Sequence, residues 1–332
     1  MMDLLARPED ERDLLARASR WPEHRDWKDL SEETLRQVAA AEGLDFATAL
    51  LFDRIVQSKE HGPFIERLRA MPEPKAPVGH TPIIGIVPGA FYREDPQSGA
   101  DGQFVLDSVA HMGFRGERLL LRSFGSLPEN AERIRAWVRG RANERIILVS
   151  LSKSGAEVKL ALNVEDADEL FHNVTAWVDL SGLYRGTPLI NWLFRHPWRL
   201  APIRLFFWFR GYHFGALREL RRGHGSLLDF DLRVPRHLHV IHVLGFPLAG
   251  HLTSPLARRG YRRIASLGPN DGGPILLADV QSLPGLILPV WGADHYLRPT
   301  GGMGDLMWRL LTYLTEENLA EKNLIESNTL VG

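Results

Sequence analysis

Short apolar runs alternate with amphipathic segments through most of this chain. The runs have the length and content of buried strands, and they lie at residues 82–87, 118–123, 145–150, 174–180, 237–245 and 285–291. Segments with helical spacing fall near residues 102–112, 128–139, 155–163 and 303–316. Strands that alternate with helix-length connections predict right-handed crossovers. We therefore predict an α/β fold, with a mostly parallel central sheet that carries helices on both faces.

Residues 1–78 follow a different pattern, which is strongly charged and helical in character. Ser31 suits the N-cap of a helix over 32–42, and Asp45 suits the N-cap of a helix over 46–58. The second helix carries an apolar stripe on one side. Its members are Phe46, Leu50, Leu51, Ile55 and Val56. We predict an N-terminal helical extension that packs on the main domain or at a dimer contact.

Two further boundaries follow from the pattern. A proline-rich stretch at 71–77 is typical of an extended linker, and the α/β domain is predicted over 79–332. Residues 181–235 interrupt the alternation of strands and helices within that domain. We predict that this insertion forms a helical cap over the sheet.

Composition limits the classes of protein to consider. A chain of 332 residues with 44% hydrophobic content can bury a large core, and its net charge of −1 creates no field that favours nucleic acid. The absence of cysteine excludes disulfides, thiolate catalysis and cysteine-based zinc sites. The first residues are acidic and lack the apolar core of a signal peptide, and no uncharged apolar stretch has the length of a membrane span. We expect a cytoplasmic protein.

The apolar run at 145–150 stops abruptly at small residues, and a helix-like segment follows at once. Ser152 lies at this corner, with Ser150 and Ser154 two positions to either side and Gly155 behind. A sharp strand-to-helix turn holds its central side chain in a strained, exposed position, and such a turn needs small neighbours. Ser152 is therefore a candidate nucleophile.

An acid and a base follow in the order that such a nucleophile requires. Asp271 lies in a loop at 266–273 that is rich in Gly, Pro and Asn, and His295 comes shortly after the strand at 285–291. A serine hydroxyl needs a base to remove its proton, and a carboxylate on the far ring nitrogen fixes the tautomer of that base. We assign Ser152 as nucleophile, His295 as general acid–base and Asp271 as orienting acid.

These features resemble the α/β-hydrolases. The corner at Ser152 is similar to their nucleophile elbow, usually Gly-x-Ser-x-Gly, although serine replaces both flanking glycines here. The Asn-Asp-Gly loop, followed by a strand and Asp-His, resembles the acid and base loops of bacterial lipases. The resemblance covers roughly residues 80–315. It implies an α/β-hydrolase fold and lipase-like or esterase-like activity.

Three residues compete with this assignment. Ser154 also has small residues on either side, but the nucleophile usually lies three residues beyond the apolar run, which ends at Val149 and so favours Ser152. Asp179, at the end of a predicted strand, is the alternative acid, because some relatives carry the acid there. Asp294 is a poor candidate, since a residue next to the base seldom folds back onto its ring.

Two other patterns are weaker. His237, His239 and His242 lie in a strand-like run without interleaved Asp or Glu, so we predict structural roles and no metal site. Ser150 and Lys153 match a Ser-x-x-Lys motif but lack the further elements of that chemistry. No cofactor is predicted.

The oxyanion hole of this fold takes one donor from the residue after the nucleophile and one from the loop after an early strand. The first donor is the amide of Lys153. The strand at 82–87 leads into a Pro-Gly turn, where glycine lets the backbone curl towards a substrate carbonyl. We nominate the amide of Ala90 as the second donor, with Phe91 as the alternative.

The predicted cap is rich in aromatic and arginine residues and contains no Asp or Glu between residues 181 and 218. Its aromatic residues include Trp192, Phe194, Trp198, Phe206, Phe207, Trp208, Phe209, Tyr212 and Phe214. Interleaved with them are Arg195, Arg199, Arg204 and Arg210.

Three roles for the cap stay open. It could simply pack on the core, it could line an acyl-chain pocket while its arginines reach solvent, or it could contact an anionic lipid surface. For the pocket, Phe91, Trp192 and Phe207 are the predicted substrate-binding residues. Stacking on nucleic acid is disfavoured by the balanced charge.

The resulting prediction is a serine hydrolase that cleaves a carboxylic ester with an apolar acyl group through an acyl-enzyme. Its expected partner is a small-molecule ester or a lipid, with no nucleic acid. Two alternatives remain at this stage. One is an acyltransferase on the same scaffold, and the other is a catalytically dead, lipid-binding protein.

Overall fold

A six-stranded sheet forms the centre of the computed structural model, which describes residues 11–72, 81–298 and 303–329. Its strands are Ile83–Val87 (β1), Gly116–Arg118 (β2), Ile146–Leu151 (β3), Val174–Leu180 (β4), His239–Phe246 (β5) and Leu286–Trp291 (β6). They lie in the order β2-β1-β3-β4-β5-β6, and every neighbouring pair is parallel. The predicted parallel sheet is confirmed.

Helices lie on both faces of the sheet. They are Glu11–Ser19 (α1), Glu32–Glu42 (α2), Leu44–Val56 (α3), Gly62–Ala70 (α4), Gln103–His111 (α5), Leu127–Arg139 (α6), Lys153–Leu162 (α7), Ala167–Leu170 (α8), Pro188–Phe194 (α9), Pro197–Arg210 (α10), Gly215–Glu219 (α11), Pro255–Ile264 (α12) and Met303–Thr329 (α13). Alternate residues of β3 join different apolar clusters, with Ile147 and Val149 on the side of α5 and α13 and Ile146 and Leu148 on the side of α6. No helix in the described part of the chain combines the length and the apolar character that a membrane span requires.

The strand predicted at 118–123 is wrong. β2 ends at Arg118, and one last backbone hydrogen bond joins Leu119 N to Ile86 O at 2.8 Å before the chain leaves the sheet. β2 is an edge strand, so no second neighbour holds the following residues in register. The apolar alternation belongs to irregular chain, in which Leu121 is buried and Leu120 is 76% exposed.

One predicted helix cap is also wrong. Ser31 caps α2 as expected, with its hydroxyl accepting the N–H of Thr34. α3, however, begins after Gly43, and Asp45 lies inside its first turn. The Asp45 carboxylate instead accepts hydrogen bonds from Ala249 N at 3.0 Å and from the Tyr261 hydroxyl at 3.2 Å. This side chain therefore ties the N-terminal helices to the rest of the protein.

The N-terminal helices pack into the same apolar cluster as one face of the sheet. Phe52 of α3 contacts Phe246 and Trp291, at the ends of β5 and β6, with ring centroids 5.9 and 4.9 Å away. Arg222, in the chain that leaves the cap, forms an ion pair with Glu32 of α2 at 2.7 Å. The boundary at residue 78 stays a prediction, and most of the linker predicted at 71–77 lies outside the described residues.

The insertion between β4 and β5 contains α9, α10 and α11. The buried ammonium of Lys159, on α7, donates hydrogen bonds to the carbonyls of Tyr184 and Leu228, at 3.1 and 2.8 Å. These two carbonyls lie near the beginning and the end of the insertion. Lys159 thus holds the backbone near both connections between the insertion and the sheet.

Candidate active site

Ser152 lies at the turn between β3 and α7 with a backbone conformation of φ 54° and ψ −116°. This is a strained region for a residue with a side chain, and it persists only where the surroundings enforce it. They do so here through the backbone. The N–H of Ser152 donates to Leu180 O at 3.0 Å, and its carbonyl accepts from Leu183 N at 2.9 Å.

The structure brings Ser152, His295 and Asp271 together. Ser152 Oγ lies 2.8 Å from His295 Nε2, and His295 Nδ1 lies 2.5 Å from Asp271 Oδ2. The second oxygen of Asp271 accepts the N–H groups of Gly273 and Ile275, at 3.2 and 3.0 Å. The carboxylate is fully buried and His295 is nearly so. A proton can therefore pass between hydroxyl and imidazole without a further movement.

Asp294 shapes the loop that carries His295. Asp294 accepts hydrogen bonds from the N–H groups of Tyr296 and Arg298, at 2.9 and 3.1 Å, and so closes a tight turn around His295. Asp294 acts on the backbone and not on the imidazole. Burial raises the pKa of Tyr296, whose ring lies 5.1 Å from that of His295, so this phenol stays neutral beside the base.

The competing side chains next to Ser152 point into the protein. Ser154 is fully buried, and its hydroxyl donates to Val87 O at 2.6 Å. The ammonium of Lys153 is buried in an ion pair with Glu157, which also accepts from Asn130 at 2.7 Å. The side chains of Ser154 and Lys153 thus have other partners, which weakens both as rivals of the Ser152–His295 pair.

Asp179, the alternative acid, does not contact His295. Its Oδ1 accepts the hydroxyl of Ser150 at 2.5 Å, and its Oδ2 lies 3.0 Å from Nδ1 of His242. Ser150 Oγ in turn accepts the indole N–H of Trp177 at 2.8 Å. Ser150, Asp179 and His242 are directly paired residues on β3, β4 and β5. They form a second, buried set of Ser, Asp and His, which we name the buried row.

Two glycines make room for the buried row. A Cβ added to Gly155 or to Gly182 would collide with the carboxylate of Asp179. Gly155 belongs to the first turn of α7, and Gly182 follows β4. The glycine behind the elbow therefore serves the packing of Asp179 against the start of α7.

The other histidines of the β5 region have structural partners. His237 Nε2 lies 3.0 Å from Phe171 O, and His242 contacts Asp179 as described. Within residues 11–72, 81–298 and 303–329, no group of three or more His, Asp or Glu could hold a metal ion. His237 and His242 thus have partners within the fold.

The turn after β1 lies against the elbow. A Cβ on Gly89 would lie 2.9 Å from Leu151 O, so only glycine permits this approach. Ala90 and Phe91, which follow, line the same cavity as Ser152, and Phe91 has a positive φ of 59°. Lys153 opens α7, where the first N–H groups have no partner within the helix. Ala90 thus lines the cavity of Ser152, and Lys153 directly follows Ser152 in the chain.

A cavity of about 580 Å³ opens beside Ser152 and His295. Apolar side chains supply most of its wall, namely Phe91, Phe104, Leu151, Leu180, Leu256 and Leu297. Its volume and lining suit a small ligand with a sizeable apolar part.

Two of the three predicted substrate-binding residues are absent from the described wall of this cavity. Phe207 is buried in an aromatic cluster, with its ring 4.7 Å from that of Phe124. Trp192 lies between His196 and Arg263, each 4.4 Å away. Only Phe91 lines the cavity as predicted.

The sequence analysis missed part of the cavity wall. Asp95, residues 97–100 and residues 296–298 line it, together with Leu256 at the start of α12. Arg298 joins the two loops by donating to the carbonyls of Gln97 and Ser98, at 3.1 and 2.9 Å. Both loops follow the carboxyl ends of parallel strands, which is the usual place for ligand-binding segments in such a sheet and could have indicated them.

No protein-family model matches the sequence, and no curated protein matches it. Among solved structures, a metagenomic carboxyl esterase, MGS0156, matches with 19% identity and a TM-score of 0.52, over 75% of this chain and 80% of its own. The mature lipase BlEst2 of Bacillus licheniformis matches with 18% identity and a TM-score of 0.50, over 75% of this chain and 95% of its own. Together with the parallel sheet and the strained turn at Ser152, these similarities show that the chain has the α/β-hydrolase fold predicted from its sequence.

Proposed function

We propose that this protein is a serine hydrolase that cleaves carboxylic esters. The observation that carries the proposal is the continuous hydrogen-bonded path from Ser152 through His295 to Asp271, with distances of 2.8 and 2.5 Å. A serine hydroxyl becomes a useful nucleophile when a base accepts its proton during attack. The strained turn exposes that hydroxyl to the cavity.

In the proposed reaction, Ser152 Oγ attacks the ester carbonyl while His295 Nε2 takes the hydroxyl proton. The amides of Ala90 and Lys153 stabilise the negative oxygen of the tetrahedral intermediate. His295 then gives the proton to the leaving alcohol, and an acyl-enzyme remains. Water attacks this ester with His295 again as base, which releases the acid and restores the serine.

Asp271 has an orienting role in this scheme. Its carboxylate holds the Nδ1 proton of His295, which leaves Nε2 free to accept the serine proton, and it stabilises the imidazolium that forms. The two N–H groups that bind its other oxygen fix the carboxylate in place.

We infer a substrate with an apolar acyl group from the lining of the cavity. The structural neighbours described as a carboxyl esterase and a lipase agree with an ester substrate. Turnover of p-nitrophenyl esters from acetate to palmitate tests this inference. We expect longer acyl chains to be preferred over acetate, and a clear preference for acetate would contradict it.

Labelling with a fluorophosphonate tests the nucleophile directly. We expect one adduct, on Ser152, that is lost in Ser152→Ala and retained in the matched variant Ser154→Ala. An adduct on Ser154, or no adduct on the folded protein, would remove the basis of the proposal.

A further inference from the structure

The cap helix α10 exposes its large apolar residues. Of its fourteen residues only Phe207 is buried. Five of its large apolar side chains are exposed: Trp198 at 68%, Leu205 at 57%, Phe206 at 48%, Trp208 at 74% and Phe209 at 76%. A cap that only packed on the core would bury these residues and expose its polar ones. α10 instead exposes most of its large apolar residues together with its arginines.

The exposed side chains form one stripe. Trp198, Leu205 and Phe209 are separated by seven and four residues, so they lie on the same side of the helix, and Trp208 lies one turn from Leu205. Phe207 is on the opposite side. We name this surface, made of Trp198, Leu205, Phe206, Trp208 and Phe209, the apolar stripe.

Three arginines border the apolar stripe. On a helical wheel, Arg199 and Arg210 fall along one edge and Arg204 along the other. Arg210 forms a side-chain hydrogen bond with Tyr212 and interacts with the charge of Glu94, whereas Arg199 and Arg204 form no ion pair with a carboxylate of the described residues. Their contacts are with aromatic faces, as for Arg204 over Phe214 at 5.8 Å. An apolar face flanked by cations is the pattern of a helix that lies on an anionic lipid surface.

The positive charge continues onto α12. Arg263 lies over Trp192 at 4.4 Å, and its pKa is lowered by burial and by the neighbouring cations Arg199 and Arg259. Like charges held together raise each other's energy and favour the binding of an anion between them. Phosphate groups of lipids supply such anions.

The inner side of α10 is connected to the cavity. Phe207, on the inner side of α10, contacts Phe124, which contacts Phe91 in the cavity wall, with centroid distances of 4.7 and 4.8 Å. Leu256, at the start of α12, is 60% exposed and lines the same cavity. A surface that covered α10 and α12 would thus lie beside the cavity of Ser152.

We propose that α10 docks on an anionic phospholipid bilayer, with the apolar stripe inserted among the lipids and the flanking arginines bound to lipid phosphates. Docking itself is independent of catalysis. The consequence of docking for catalysis rests on the proposed function, because a bilayer held at this surface would present lipid esters to the cavity of Ser152.

Vesicle flotation of the full chain tests the docking. The Ser152→Ala variant is used throughout, so that hydrolysis cannot change the lipid. Vesicles of phosphatidylcholine with phosphatidylglycerol as minor component are compared with vesicles of phosphatidylcholine alone. We expect binding only to the anionic vesicles, and a loss of about tenfold or more in Trp208→Ser/Phe209→Ser. Leu120→Ser, which removes an equally exposed apolar residue outside the cap, should bind normally.

A charge series tests the arginines. Arg199→Gln/Arg204→Gln should weaken binding about tenfold, while Arg199→Lys/Arg204→Lys should retain most of it, because each basic group near an anionic surface contributes a similar attraction. Equal binding to both kinds of vesicle would overturn the anionic part of the proposal.

A second copy of the chain is the rival occupant of the apolar stripe. A dimer in solution that Trp208→Ser/Phe209→Ser dissociates, without any vesicle binding, would overturn the proposal. Turnover of a water-soluble ester is measured with the same cap substitutions made in the protein that retains Ser152. This measurement reports on the proposed function alone. Docking and catalysis can therefore fail separately.

Discussion

Two sets of Ser, Asp and His lie side by side in this protein, and they differ in the order in which the groups meet. In the proposed triad, the imidazole of His295 stands between Ser152 and Asp271. In the buried row, the carboxylate of Asp179 stands between Ser150 and His242. Only the first order places an imidazole, a group that can act as a base, next to a serine hydroxyl.

Backbone conformation and access separate the two serines further. Ser150 continues the strand and is fully buried, with Trp177 and Asp179 as its partners. Ser152, two residues on, has a φ of 54° and lines the cavity. The same residue types thus stabilise the sheet in one set and are available for chemistry in the other.

The largest effect should come from removing the nucleophile. We expect Ser152→Ala to lower kcat about 10⁶-fold, since loss of a serine nucleophile leaves only binding and the oxyanion hole. The variant should unfold at the same temperature as the wild type. Steady-state kinetics with a soluble ester and a thermal scan check both, and substantial residual turnover would identify another nucleophile.

Replacing the two acids tests the comparison most sharply. Asp271→Asn should lower kcat about 10⁴-fold, because an amide holds the wrong tautomer of the histidine. Asp179→Asn, the matched change in the buried row, should leave kcat within about tenfold of the wild type. If Asp179→Asn were the damaging change, the assignment of the two sets would be reversed.

Asp179→Asn, which should spare turnover, should reduce the stability of the protein. Asp179→Asn weakens hydrogen bonds between a buried charge and the side chains of Ser150 and His242, so we expect a loss of about 2–3 kcal/mol in the free energy of unfolding. Urea denaturation measures it. Asp271→Asn also replaces a buried carboxylate with an amide. It serves as the control for the effect of burying that amide on the free energy of unfolding.

The smallest expected effect belongs to Ser150→Ala. The change leaves the indole N–H of Trp177 without an acceptor and removes one donor from Asp179, which should cost about 1–2 kcal/mol of stability. Turnover should stay close to the wild-type value. A fall in kcat as large as that of Asp271→Asn would show that Ser150 takes part in catalysis.

Much of this architecture could be predicted from the sequence. Buried parallel strands leave continuous apolar runs, so five of the six strands were predicted within two residues of their bounds. The proximity of Ser152, Asp271 and His295 was predicted from their order along the chain. Their roles stay a proposal that the measurements above test.

Other features depend on relations between distant segments. Whether Asp179 or Asp271 meets His295 is decided by strand register and loop path, which no local pattern contains. The aromatic content of the cap was correctly noted, but helical spacing does not tell which side of α10 faces the core. That is why Trp192 and Phe207 were predicted as substrate-binding residues although neither lines the described cavity.

Arg222 links the N-terminal helices to segments near Ser152. Its guanidinium holds Glu32 of α2 and Asp279, which follows the loop of Asp271, at 2.7 and 2.6 Å. Its backbone N–H binds the side chain of Asn191 in α9. A shift of α2 would therefore displace the base of the cap and the segment of Asp279, which follows the loop of Asp271. Arg222 thus links α2 to the base of the cap and to the segment that follows Asp271.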